Sequence, residues 1–196
     1  GRSRAFWEWA IEPTREVFPE TFGSATPEDV YRAVNKLQPS LIRVEADELT
    51  YNLHIILRFE MERDILGGRI ALKDLPEAWN QRMQDYLGVT VPNDADGVLQ
   101  DVHWSSGSFG YFPTYALGNV LSLQLWSRIT TEIPDLEDNF RKGEFAPLRE
   151  WLGENVHRHG SKFLPKELME KVLGTRKLDP VPLTTYLEAK VNDLYG

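Results

Sequence analysis

Apolar residues recur along most of the chain at three- and four-residue spacing, the pattern of helices that bury one face. Residues 4–18 read as a first helix, broken near Pro13 and ended by Pro19. Thr26-Pro27-Glu28-Asp29 supplies a hydroxyl cap, a first-turn proline and acids facing the positive helix end. A helix should run from there to about Leu37, where Pro39 stops it. A long, strongly apolar helix is expected over 46–66, ended by Gly67-Gly68, and another from Asp74-Leu75-Pro76-Glu77 to Gly88. Residues 89–110, dense in Gly, Pro, Asn, Asp and Ser, predict a loop. Pro113 is tolerated only in a first turn, so a helix is expected over about 112–131. Shorter helices follow near 134–142, 144–158, 165–173 and 182–194, and Arg69-Ile70-Ala71-Leu72 reads as an extended stretch. The class is all-α, with no internal repeat or low-complexity linker.

Composition narrows the function classes. With 196 residues, 41% of them apolar and six tryptophans, the chain can bury a sizeable core. A formal charge of −8 disfavours sequence-nonspecific binding of nucleic acid, which needs a basic surface. No apolar run approaches the roughly 18 residues that span a bilayer. The absence of cysteine rules out disulfides and thiolate metal ligands and suits a reducing, cytoplasmic setting. Gly1-Arg2-Ser3-Arg4 lacks the apolar core of a signal peptide. Two tryptophans so near the start, Trp7 and Trp9, need packing partners, and the expectation is a piece of a longer polypeptide.

Two segments carry chemistry. Asp47, Tyr51, His54 and Arg58 follow one another at four, three and four residues and share one helical stripe. That stripe reads either as a solvated face with local ion pairs or as support for Arg43, one turn upstream. A guanidinium held by an acid partner can grip a substrate carboxylate through two parallel hydrogen bonds. The second segment runs from Gly97-Val98-Leu99-Gln100-Asp101-Val102-His103-Trp104 to Phe109-Gly110-Tyr111-Phe112-Pro113-Thr114-Tyr115. Imidazole and phenol groups here can donate to an anionic transition state. Asp101 and His103 would point to opposite faces of an extended chain and share a ligand only across a turn. Tyr111 and Tyr115, one helical turn apart, are either cleft residues or core aromatics. The four histidines, His54, His103, His157 and His159, do not form the i, i+4 pair of a zinc-binding helix. His157 and His159, near Gly160, suit a helix C-terminus. Neither a Gly-x-Ser-x-Gly elbow nor a phosphate loop or dinucleotide fingerprint occurs.

At these motifs the chain resembles the thermostable, Taq-type zinc metallocarboxypeptidases over essentially its whole length. The resemblance is carried by Gly1–Trp7, by Val34-Asn35-Lys36-Leu37-Gln38-Pro39-Ser40 and by the Ile-Arg-x-x-Ala-Asp segment at 42–47. It is carried also by Leu-Pro-Glu-Ala-Trp-Asn at 75–80 and Gly-x-x-Gln-Asp-x-His-Trp at 97–104. It implies an elongated, mainly helical fold with a deep substrate groove, a homodimer, and release of single residues from the C-termini of peptides. It further implies a zinc ion, or cobalt in its place, held by two histidines of an His-Glu-x-x-His helix and a later glutamate. None of those motifs is present, so the expectation is the C-terminal part of such an enzyme, inactive by itself, with the N-terminal part of the same enzyme as its partner. On this resemblance Arg43 faces the substrate's terminal carboxylate, with Asp47 and Thr50 supporting the wall around it. His103, with Tyr115 or Tyr111, stabilises the oxyanion, and Gln100 and Asp101 position His103. Tyr115 is preferred for direct contact because it sits within the helix. A helical peptide-binding module without catalysis is the alternative, and a purely structural domain gives no reason for Arg43, His103 and the tyrosines to assemble.

Overall fold

A computed structural model describes all 196 residues, which form helices joined by turns without a strand. The α-helices are α1 (Arg4–Val17), α2 (Pro19–Phe22), α3 (Pro27–Val34), α4 (Tyr51–Leu66) and α5 (Leu75–Leu87). They continue with α6 (Pro113–Glu132), α7 (Leu136–Arg141), α8 (Ala146–Asn155), α9 (Pro165–Leu173) and α10 (Val181–Tyr195). The chain divides into two compact units, one of Gly1–Asn35 with Asn119–Gly196 and one of Lys36–Gly118, and α6 passes from one to the other. No helix is long and apolar enough to cross a membrane.

In the first unit, Ser3 caps α1 by accepting from the Phe6 N–H, and Thr26 and Asp29 cap α3 reciprocally. The predicted break at Pro13 does not occur: α1 continues through it to Val17. The lost N–H bond and ring crowding are outweighed by the buried face of Ala5, Ala10 and Ile11, since α1 packs on α3 and α7. Helix α3 stops at Val34, three residues earlier than expected, because the buried Asn35 amide donates to the Tyr31 and Arg2 carbonyls. The core joins Ala5, Ile129, Leu136, Phe140 and Trp151. Trp9 packs edge-on against Phe145 and Phe6, at centroid distances of 5.1 and 5.7 Å. Gly143, at φ +75°, lies directly against that indole. His157–His159 form a short 3-10 turn after α8, as the sequence suggested for a helix end.

In the second unit, α4 and α5 close on Leu57, Met61, Trp79, Met83, Leu87 and Val98. Burying each such side chain contributes about 1.5–3 kcal/mol. The helix expected over 46–66 begins only at Tyr51. Asp47 explains the delay: its Oδ1 accepts from the N–H groups of Leu49 and Thr50, and its Oδ2 from the Thr50 hydroxyl and the Gln38 N–H. An aspartate that bonds the backbone two and three residues ahead makes a turn in place of a helical start. Arg43–Glu45 form a single 3-10 turn before it. The extended stretch expected at 69–72 is also absent. The N–H groups of Arg69 and Ile70 both return to the Asp64 carbonyl, and a 3-10 turn over Leu72–Asp74 leads into α5. The loop predicted over 89–110 is present and spans 88–112, where it lays Val98 into the core and carries the His103 segment.

Candidate active site

Burial decides the nature of the α4 stripe. His54 and Arg58 are 0% exposed, so the reading of a solvated face is wrong. His54 Nε2 lies 3.1 Å from the Ser40 carbonyl and therefore donates to it. That tautomer leaves the Nδ1 lone pair toward Arg58 Nη1, 3.4 Å away. Burial, reinforced by the Arg58 charge, lowers the His54 pKa to about 4, so the ring is neutral at physiological pH.

Arg58 and Arg43 converge on one carboxylate, Asp101. Arg43 donates through Nε and Nη2 to Oδ1 at 3.0 and 2.6 Å, and Arg58 donates through Nε to Oδ2 at 2.6 Å. The acid that holds Arg43 is thus 58 residues away in sequence; nearby Asp47 has its oxygens committed to backbone. Gln100 completes the cluster. Its Oε1 accepts from the Arg43 backbone N–H at 2.9 Å and from Arg58 Nη2 at 2.8 Å. Its Nε2 donates to the carbonyls of Leu41 and Asp96. Burial alone would push the Asp101 carboxyl up, but the Arg43 hydrogen bonds and the Arg58 charge hold it below the usual range. Burial lowers Arg58 to about 10 against the pull of Asp101, which leaves it charged at neutral pH. Two guanidiniums against one carboxylate give the cluster one excess positive charge.

Aromatic faces surround these cations. The Arg58 guanidinium lies 4.7 Å from the Trp79 ring and 5.4 Å from Phe112, while Arg43 lies 5.1 Å from Tyr115 and 5.7 Å from Phe112. A guanidinium has five N–H groups, of which Arg43 gives Nε–H and one Nη2–H to Asp101 and one Nη1–H to Tyr51, at 3.0 Å. One N–H on each of Nη1 and Nη2 of this largely buried residue remains for a further acceptor.

The loop brings His103 to the same place. Hydrogen bonds from Ser106 N–H to the Val102 carbonyl and from Ser108 N–H to the His103 carbonyl close a tight turn, with Gly107 and Gly110 at positive φ. The turn that Asp101 and His103 needed in order to face one point is therefore present: His103 Nδ1 is 3.9 Å from Asp101 Oδ1. His103 Nδ1 itself is enclosed and has no hydrogen-bond partner. The imidazole rests on Phe112 at 4.3 Å, and its Nε2 shares a 3.1 Å hydrogen bond with the Tyr115 hydroxyl. Tyr111 packs edge-on to Tyr115 at 5.5 Å and is half exposed. The next residue, Trp104, donates to Glu62 Oε1 at 3.0 Å and meets Trp79 edge-on.

Of the residues picked out from sequence, Arg43, Gln100, Asp101, His103, Tyr111 and Tyr115 come together. Asp47 and Thr50 shape the turn leading into α4, and the buried Thr50 hydroxyl is spent on Asp47. Gln100 reaches Arg43 and Arg58 rather than His103. Arg58, His54, Trp79, Phe112 and Glu62 were not picked as site residues; for Arg58 and His54 the stripe spacing was the available signal. No three His, Asp or Glu side chains converge to hold a metal ion, so the residues present do not fit a metal centre.

A family model described as carboxypeptidase Taq (M32) metallopeptidase matches residues 1–191. The chain belongs to this Taq-type metallocarboxypeptidase family. It is 47% identical over 196 residues to thermostable carboxypeptidase 1 of Thermus thermophilus, covering 100% of this chain and 38% of that one. Carboxypeptidase 1 of Bacillus subtilis is 44% identical over 100% of this chain and 39% of its own length. The crystal structure of the carboxypeptidase of Deinococcus radiodurans superposes on the whole chain with a TM-score of 0.95, at 47% identity, over 39% of its length. This family member thus spans about two fifths of the relatives it matches.

Proposed function

We propose that this chain is the C-terminal, substrate-gripping part of a zinc carboxypeptidase that releases single residues from peptides with free C-termini. The observation that carries the reading is the cationic Arg43 fork, held from behind by Asp101 and left with one N–H on each terminal nitrogen. A terminal carboxylate meets that fork; an amide, lacking charge and a second oxygen, does not. His103 and Tyr115, linked at 3.1 Å, form a relay in which the imidazole Nε2–H donates to the phenol oxygen and the phenol O–H donates to a carbonyl oxygen as it gains negative charge, and Tyr111 lines the approach. Exposed Val44, Leu99 and Val102, neighbours of Arg43, Gln100 and His103 in sequence, offer apolar contacts to substrate side chains.

The metal ion, zinc or cobalt, is held in this reading by residues outside these 196, in the N-terminal part of the same enzyme. Helix α6 supports a missing neighbour of this kind. Of its apolar side chains only Ile129 is buried, while Leu121, Leu123, Leu125 and Trp126 are half-buried and Leu117 is exposed, which leaves apolar surface for a neighbour to cover. A cytoplasmic homodimer belongs to the same proposal.

The test uses the full-length enzyme and one peptide in two forms, free acid and C-terminal amide. Wild type is expected to cleave the acid at least about a hundredfold faster, and Arg43→Met to lose most of that preference. Equal cleavage of acid and amide by wild type would remove the carboxylate-binding role. Stoichiometric zinc on the purified 196-residue chain would contradict the assignment of its ligands elsewhere.

A further inference from the structure

Asp101 creates a problem for an arginine that has to attract an anion. A lone carboxylate at 2.6 Å would neutralise Arg43 and repel a second carboxylate arriving on its other edge. The cluster is built to avoid this. Arg58 takes the opposite oxygen of Asp101 at 2.6 Å, and its remaining contacts are neutral: Gln100 Oε1, the His54 carbonyl and the uncharged His54 ring. Gln100 is fixed with its oxygen toward both arginines because its Nε2 donates to two backbone carbonyls. An acceptor that could have been anionic is therefore neutral. The one buried acid of α4, Glu62, accepts through Oε1 from the Trp104 indole and makes no ion pair with either arginine. Trp79 and Phe112 place ring faces on the Arg58 guanidinium, which favours the charge without cancelling it. At 0% exposure Arg58 cannot meet a ligand in the site, so any role it has passes through Asp101.

We propose that Arg58 is a positioning residue that cancels the Asp101 charge and so keeps Arg43 cationic toward a peptide's terminal carboxylate. The inference rests on the reading of Arg43 given above and names the charge balance behind it. A filler role is the competing account: buried ion pairs are often replaceable by apolar residues of like volume. Charge balance and filling make opposite predictions once Asp101 is changed too.

The experiment measures KM and kcat of the full-length enzyme on an N-acylated dipeptide with a free carboxylate. Arg58→Met should raise KM about tenfold or more while kcat stays within about threefold. Adding Asp101→Asn to Arg58→Met removes the unbalanced carboxylate and should bring KM back to within about threefold of wild type. A double variant that folds and binds worse than the single one overturns the proposal. Should Arg58→Met lack native near-ultraviolet circular dichroism, Arg58→Lys serves, since it keeps the charge. A KM within about threefold of wild type supports charge balance, and a tenfold rise in the folded lysine variant overturns it. Failure of the underlying reading is separately visible. If Arg43→Met leaves the KM of the acid unchanged, Arg43 does not bind the carboxylate, whatever Arg58 does.

Discussion

His54 makes the stability of the second unit sensitive to acid by an amount that follows from its surroundings. The ring is enclosed, donates to Ser40 and faces the Arg58 cation, which lowers its pKa from 6.5 to about 4. The unfolded chain takes up a proton below about pH 6.5, whereas the folded chain resists it until near pH 4. Stability is therefore fully present above the unfolded pKa and falls as pH drops between these values. The linkage relation gives a loss of between about 1 and 2 kcal/mol near pH 5.5 and between about 2 and 3 kcal/mol near pH 4.5. Asp101, whose carboxyl is held low, loses its contribution in the same direction at still lower pH. His54→Gln isolates the histidine, because the amide can still donate to Ser40 but does not titrate. Urea unfolding at pH 7.5, 5.5 and 4.5 should show a smaller fall in stability for the variant by those amounts. Parallel curves for wild type and variant would refute the assignment of the acid sensitivity to this ring.

Three further outcomes are expected. Asp101→Ala leaves two enclosed guanidiniums without a counterion and should lower unfolding free energy by about 3–5 kcal/mol, read by urea denaturation; a loss under about 1 kcal/mol would mean water or Gln100 replaces it. His103→Ala in the full-length enzyme should reduce kcat roughly a hundredfold or more with an unchanged melting temperature, and near-normal turnover would exclude His103 from the chemistry. Gly143→Ala should destabilise the first unit by more than about 1 kcal/mol, since φ is +75° and the new Cβ would lie 2.7 Å from Trp9 Cε2; calorimetry and Trp9 fluorescence check both effects.

Residue spacing and turn chemistry determined the helical class, the loop over 89–110, and the ends of helices that carry their own caps, such as α3 at Thr26 and α5 at Gly88. These are local matters, settled by neighbours within one turn. The Ile-Arg-x-x-Ala-Asp and Gly-x-x-Gln-Asp-x-His-Trp segments also marked Arg43, Asp101 and His103 before their positions were known. Tertiary structure alone decided what these residues do to one another. Helix α1 passes Pro13 because its packed face outweighs a local penalty, and α4 starts late because Asp47 bonds Gln38 as well as its own turn. The Asp47-Tyr51-His54-Arg58 spacing is the same for a wet surface as for a buried wall. Only the meeting of α4 with Trp79, Phe112 and Asp101, the last 43 residues from Arg58, removes water from Arg58 and makes one carboxylate serve two arginines. Charge and burial at this site are properties of that meeting, because desolvation depends on what packs around a side chain and not on its place in the chain.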